Sequence, residues 1–431
     1  MSVREWNLHS DDDLIFISLA AYRDPQLLPT VRDCIRRASN PARLRFGICW
    51  QRDADDSSLP LGGDTRFRVL DVNWRESKGA CWARAEIMKL WQGEDWFLQV
   101  DSHCRFAESW DAALLRTMAE TGSDKPILST YASPFTPGET EIFRDEPLQI
   151  VFQQFTPEGI PQLRPGAFPP GRTSKQPLRA RFLAAGFLFA PGRFVEEVPY
   201  DPELYFMGEE SAMTVRAFTH GFDLFHPAET IIWHEYIRAD ARKHWGDHSE
   251  GADVASPWSK LDETSRRKIG RLLSGEPMES FGLGHARTLN EYERYAGLSF
   301  RHRKAQGYTL RGGEPPSPNA PADWPDKIYR WIAKIKFTRE QLPEGSLADP
   351  MLWSLSILDR EGFEVCHRNV DPQELAPLAS ATGELAIICE FPSDTIPVDW
   401  TLWPLTRSGQ WLRKFGGRLS DEDFAILSGD D

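Results

Sequence analysis

The chain has 431 residues, 41% hydrophobic and 26% charged, with 50 Lys and Arg against 64 Asp and Glu for a net charge of −14. That balance suits a folded protein too long for one hydrophobic core, so two domains are expected. It argues against nucleic acid and anionic membranes as partners, because an acidic surface repels both and any phosphate site must be a local exception.

The first strong element is the apolar run Leu14 to Leu19 (LIFISL), which reads as a strand buried on both faces of a parallel sheet. A turn at Ala20 to Pro25 leads to a helix from Leu27 to Ala38, ended by Asn40-Pro41. Strands follow at Leu44 to Trp50 and Phe67 to Val72, then a helix at Cys81 to Trp91 and a strand at Trp96 to Val100 that runs into Asp101. This alternation predicts an α/β domain with a mostly parallel central sheet, whose ligands sit beyond the carboxyl ends of the strands. Arg23, Gln51, Asp53 and Asp101 fall at those ends.

Residues 126 to 156 alternate in strand fashion, and the basic, Pro- and Gly-rich stretch Pro161 to Arg181 reads as a mobile loop. A strand is expected at Phe182 to Phe189, a helix from about Glu210 to Thr219, and a strand at Thr230 to Trp233 that precedes His234. The boundaries expected are a first domain over 1–311, a Pro/Gly-rich linker over 312–325, and a β-rich accessory domain over 326–431. Short apolar runs in that last segment predict an antiparallel β-sandwich. Trp331, Trp353, Trp400 and Trp403 there suit either a core or a sugar platform.

The six cysteines are scattered, with no CxxC pair, which suggests reduced core thiols. The N-terminus lacks a basic region followed by an apolar one, and no apolar run approaches the roughly 20 residues that span a bilayer. A cytoplasmic protein without membrane insertion is the expectation.

Asp101-Ser102-His103 places a carboxylate and an imidazole two residues apart after a buried strand. On an extended chain both point to one face, where they can share a divalent cation; Mn²⁺ or Mg²⁺ suits such oxygen and nitrogen donors. His234, at the end of another apolar strand, is the candidate third ligand. Glu209 and Glu210 follow Gly208 at a helix start, where one carboxylate suits the helix dipole and the other is free to orient a hydroxyl-bearing substrate. Arg23, Lys78 and Arg84 are candidate contacts for a diphosphate.

Three ordered blocks carry a resemblance across about residues 14 to 240: IFISLAAYRDPQLLPTVRDCIRRASNPARLRFGICWQRD, GACWARAEIMKLWQGEDWFLQVDSHCRFAESWD and YFMGEESAMTVRAFTHGFDLFHPAETIIWHEYIR. They resemble the GlcNAc-transferase family, the UDP-GlcNAc:polypeptide α-N-acetylglucosaminyltransferases that include enzymes modifying hydroxyproline on Skp1. A similar order of motifs occurs in mucin-type polypeptide GalNAc-transferases. The resemblance implies a GT-A fold, a nucleotide-sugar donor, divalent metal dependence and retention of anomeric configuration. It implies that Asp101 and His103 form the Asp-x-His metal motif, that His234 is the later metal-binding histidine, and that Glu210 faces donor and acceptor. Arg84 is similar to the arginine on the helix before the Asp-x-His strand.

On that reading UDP-GlcNAc is the donor, with uridine near Arg23, Gln51 and Asp53. The acceptor is a hydroxyl on protein Ser/Thr or hydroxyproline, with a glycan or small molecule as alternatives. The rival classes are a non-catalytic nucleotide-sugar-binding scaffold and a mononuclear zinc hydrolase built on His103 and His234. The last hundred residues match nothing, and the oligomeric state is left open.

Overall fold

The computed structural model describes residues 13–427 except 57–58, 62, 139–140, 157, 169–175, 239–240, 319–328, 361, 363, 382, 394 and 409. The chain forms two compact units. One holds the described residues up to Val151 together with Phe155–Ala296 and Glu314–Pro316; the other holds Phe152–Gln154, Gly297–Gly313 and the described residues from Ser317 on.

The first unit is mixed α/β. Its first strands are β1 (Ile15–Tyr22), β2 (Leu44–Arg52), β3 (Phe67–Asn73), β4 (Trp96–Asp101) and β5 (Cys104–Phe106). Next come β6 (Pro126–Ser129), β7 (Ser133–Thr136), β8 (Ile142–Phe143), β9 (Leu148–Phe155, of which Phe152–Gln154 fall in the other unit) and β10 (Pro161–Ala167). The last are β11 (Leu178–Arg179), β12 (Phe187–Pro191), β13 (Asp223–His226) and β14 (Ile232–His234). The helices are α1 (Leu27–Arg37), α2 (Ala80–Met88), α3 (Trp110–Glu120), α4 (Phe194–Glu197), α5 (Glu209–Thr219), α6 (His244–Asp247), α7 (Trp258–Leu273) and α8 (Leu289–Ala296).

Eight strands make the main sheet in the order β11-β13-β6-β12-β4-β1-β2-β3. Strands β4, β1, β2 and β3 are parallel neighbours, whereas β12 runs antiparallel between β4 and β6. The apolar continuity of β1 has its cause here: Ile15, Phe16 and Ile17 are wholly buried, because both faces of the sheet are covered. After β1 the chain moves outward through β2 and β3, then returns to place β4 on the other side of β1. That reversal opens a crevice at the carboxyl ends of β1 and β4. The register sets Asp101 beside Ala20, at the floor of this crevice.

A smaller sheet, β5-β14-β7-β8, stands beyond the end of β4. Helix α2 begins at Gly79, whose φ of +97° and close approach to the Tyr205 ring exclude a side chain: a Cβ would sit 2.8 Å from that ring.

Two expectations need correction. Part of the basic stretch expected as a loop, Pro161 to Arg181, is strand: β10 pairs with β9, and β11 pairs with β13. Its centre, 169–175, lies outside the described residues, as do 319–325 of the expected linker. The apolar run Phe182 to Phe189 becomes strand only from Phe187. Its earlier amides are spent on side chains: Leu183 donates to Thr214 Oγ1 (2.9 Å), Ala184 to Ser129 Oγ (2.8 Å) and Ala185 to Glu210 Oε1 (2.9 Å). Apolar composition reports burial, and the hydrogen-bond partners decide whether a buried segment joins a ladder.

In the second unit, Tyr329–Phe337 pairs antiparallel with Leu385–Ser393 and Phe424–Ile426. Pro350–Leu358, Glu364–Val370, Asp399–Thr406 and Phe415–Arg418 form a second antiparallel sheet. Both sheets contribute to one core, which contains Trp331, Trp353 and Trp400. Those three tryptophans are packing residues, and Trp403 is half-buried with its indole N–H donating to Leu412 O at 2.8 Å. All six cysteines are free and buried. No helix among the described residues is long and apolar enough to cross a membrane.

Candidate active site and metal centre

The pairing of β14 with β5 places His234 opposite Cys104, next to His103. The Glu235 amide reinforces this register by donating to His103 O at 3.1 Å. Asp101, His103 and His234 thereby converge, each offering one ligand atom, with those atoms within 4.8 Å of one another. His234 Nε2 lies 3.1 Å from Asp101 Oδ2, and His103 Nε2 lies 4.0 Å from the same oxygen. The turn between the first two is pinned by Thr30, whose hydroxyl donates to Ser102 O (2.9 Å) and accepts from the Cys104 amide (3.0 Å).

Room for this cluster depends on Gly186. A Cβ at that position would stand 3.0 Å from Asp101 Oδ2 and 4.0 Å from His234 Cδ2.

Asp101 is further fixed by Arg84, which donates Nη2 to its Oδ1 at 2.8 Å and Nη1 to Glu209. The Arg84 and Glu209 side chains are 5% and 4% exposed, so the guanidinium is a buried bridge between two carboxylates. Burial works against its charge, but Glu209, then Tyr200 and Asp101, outweigh that and hold its pKa well above the usual value. Burial likewise raises the Asp101 carboxyl, yet the His234 hydrogen bond and the Arg84 charge drive it below the ordinary carboxylate range. His234 is lowered by burial, against the opposing pull of Asp101.

Glu210 behaves differently from its neighbour. It accepts from Ala185 N and the Tyr131 hydroxyl, and burial pushes its pKa up to about 7 in spite of those bonds. It is therefore poised between acid and carboxylate near neutral pH.

These groups line one cavity of about 420 Å³. One end holds the aromatic rings of Tyr22, Tyr205 and His244 with Gln51; Tyr205 OH and His244 Nδ1 are 2.8 Å apart. Burial lowers His244 to about 4, so its ring is neutral there. Arg238, Arg242 and Lys243 also line the cavity.

Of the residues expected from the sequence, Gln51, Arg84, Asp101, His103, Glu209, Glu210 and His234 line this cavity. Arg23, Asp53 and Lys78 are not among its lining residues. Arg23 instead joins Asp53 (2.6 Å) and Asp247 (2.8 Å), with its guanidinium 4.8 Å from the Trp74 ring. Lys78 is exposed.

Sequence reasoning missed Asp24, Tyr131, Gly186 and the cations Arg238, Arg242 and Lys243. Asp24 sits in a stretch read only as a turn, although its place at the end of β1 was a usable signal. The three cations follow His234 by four to nine positions, and that run of Arg and Lys in an acidic chain was the other signal.

A family model described as "Glycosyltransferase (GlcNAc)" matches residues 14–62 and 61–302, more than half of the chain. The chain belongs to this GlcNAc glycosyltransferase family. The α/β architecture with a mostly parallel central sheet expected from the sequence is the one observed in its first unit. The crystal structure of GalNAc-T7 with UDP, GalNAc and Mn²⁺ is similar at 14% identity and a TM-score of 0.44, over 65% of this chain. The chain spans about half the length of that relative, 54%. No curated protein matches it.

In this family member the donor set fits a divalent cation on its own chemistry. One ionised carboxylate and two imidazole nitrogens face one point, and Gly186 leaves that point clear.

Proposed function

We propose that this glycosyltransferase-family chain is a metal-dependent, retaining enzyme that transfers GlcNAc from UDP-GlcNAc to a hydroxyl on a protein, at Ser, Thr or hydroxyproline. The observation that carries the reading is the convergence of Asp101, His103 and His234 with Glu210 in one cavity at the β1–β4 crevice. Mn²⁺ or Mg²⁺ held by Asp101, His103 and His234 would supply Lewis-acid neutralisation of charge on the departing diphosphate.

The remaining roles belong to the chain. Tyr22, Gln51, Tyr205 and His244 offer ring faces and an amide to the planar base. Arg238, Arg242 and Lys243 offer positive charge to the diphosphate, a local exception in a chain of net charge −14. Arg84 is committed to Asp101 and Glu209, so its part is to hold the aspartate in place. Glu210, with Tyr131 beside it, orients sugar or acceptor hydroxyls and can exchange a proton with them near pH 7.

The carboxylates lining the cavity are Asp24, Asp101, Glu209 and Glu210, and each is engaged by hydrogen bonds. That favours attack by the acceptor on the face the diphosphate leaves, rather than a covalent glycosyl-enzyme. We assign the β-rich segment 326–431 an accessory role beside a catalytic domain over 1–311. A cytoplasmic location is part of the proposal.

The deciding experiment is donor hydrolysis across UDP-GlcNAc, UDP-GalNAc and UDP-glucose, each with and without Mn²⁺. Selective, Mn²⁺-dependent turnover of UDP-GlcNAc is expected. Turnover of none of them, or turnover indifferent to EDTA, would overturn the reading.

A further inference from the structure

Asp24 follows the end of β1, and its carboxylate is 2% exposed. Both of its oxygens are occupied. Oδ2 accepts from the Ser102 hydroxyl and stands 2.8 Å from His103 Nδ1; Oδ1 accepts from the Gln26 amide at 2.9 Å and pairs with Arg238 Nη2 at 2.7 Å. The other nitrogen of the His103 ring, Nε2, faces Arg238 Nη1 at 3.4 Å and lies on the Asp101 side.

An ionised carboxylate can only accept, and a guanidinium can only donate. The two contacts of His103 therefore agree: Nδ1 carries the proton and Nε2 carries the lone pair. His234 lacks such a support. Its Nε2 meets Asp101 Oδ2, and its buried Nδ1 has no hydrogen-bond partner among the described residues.

We propose that Asp24 is a positioning residue for the metal centre: it holds His103 as the Nδ1–H tautomer, turning the Nε2 lone pair toward the shared point, and anchors Arg238 beside it. This rests on the metal reading above. The physical reason is general. A ligating imidazole whose far nitrogen donates to a carboxylate is fixed in tautomer and orientation and is a more basic ligand, and loss of such a support typically costs about 10–100-fold in metal affinity. One buried carboxylate at the β1 end would then set both a ligand and a cation of the same cavity. His234, without that support, becomes the adjustable ligand of the three.

Two measurements test this, and neither uses a sugar nucleotide. In metal-free protein with ¹⁵N-labelled histidine, a long-range ¹H–¹⁵N correlation reads the tautomer of His103, assigned by the signal lost in His103→Gln. The Nδ1–H form is expected, and the Nε2–H form would overturn the proposal whether or not any variant folds. In parallel, Mn²⁺ is titrated into wild type and Asp24→Asn by electron paramagnetic resonance, with circular dichroism and melting in EDTA as folding controls. Asparagine can turn its amide N–H₂ toward Nδ1 and so favour the opposite tautomer. A dissociation constant raised about 10–100-fold in a folded variant is expected; a value within twofold of wild type overturns the proposal. Failure of wild type to bind Mn²⁺ at all would instead strike the metal reading, leaving the tautomer to decide this one.

Discussion

At the scale of single residues, the cavity separates two adjacent carboxylates into different jobs. Both line it, but Glu209 pairs with buried Arg84, whereas Glu210 is bonded to Tyr131 and Ala185 N and has its pKa pushed up to about 7 by burial. Because that value is raised above the unfolded one of about 4.3, folding is penalised by ionisation of Glu210. Its contribution to stability is full below pH ~4 and is lost as pH rises through 7. Glu210→Gln should flatten this component by at most about 4 kcal/mol, less because the carboxyl borders an open cavity. Urea melts of wild type and variant at pH 4.5 and pH 8 check it: the difference between the two proteins must change with pH in that direction.

Gly186→Ala is the complementary test of space. A Cβ 3.0 Å from Asp101 Oδ2 must displace the carboxylate by a few tenths of an ångström. Weaker Mn²⁺ binding with little loss of melting temperature is expected in a metal titration with thermal controls.

At the scale of elements, Arg84 ties α2 to the end of β4 through a part-buried ion pair and to the start of α5 through a buried one. Arg84→Met would leave Asp101 and Glu209 without their cation. Removing one partner of a buried pair costs about 3–5 kcal/mol, far more than the net worth of the pair itself. Urea denaturation should show that loss, and a change under 1 kcal/mol would mean the carboxylates are solvated.

Much of the element pattern was legible in the chain. The strand at Ile15–Tyr22, the helix at Leu27–Arg37 and the strand ending on Asp101 each stand where apolar runs and turn residues put them. What was not legible were backbone segments whose partners are side chains. Leu183 to Ala185 reads as strand by composition, yet its amides go to Thr214, Ser129 and Glu210. Pro161 to Ala167 reads as loop by its prolines and glycine, yet it is a strand of a two-stranded ribbon, where some of its backbone need not pair.

At the scale of the whole molecule, the candidate site lies entirely within one of two compact units. A ligand that binds only the folded form stabilises by about 2.7 kcal/mol at a hundred times its dissociation constant. UDP with Mn²⁺ should therefore raise the melting transition of the first unit by a few degrees and leave that of the second unchanged. Differential scanning calorimetry with and without EDTA reads this, and equal shifts in both transitions would place the ligand elsewhere.

The sequence by itself determined that a carboxylate and a histidine end a buried strand, that a second histidine ends another, and that a family-specific order of blocks links them. Those facts are local: apolar runs, turn residues and short spacings survive in one dimension because burial and backbone period act on neighbours. Only the tertiary structure decided which groups share the cavity. The β14–β5 register brings His234 to His103 across 131 positions, counted from 103 to 234. The start of α5 brings both Glu209 and Glu210 to the cavity, Glu209 paired with Arg84 and Glu210 bonded to Tyr131, while Arg23 pairs with Asp53 and Asp247. Asp24 gains its role from two partners, His103 and Arg238, that no window of the chain holds together with it. Such partnerships are set by strand pairing and competition among charges, which composition and spacing do not record.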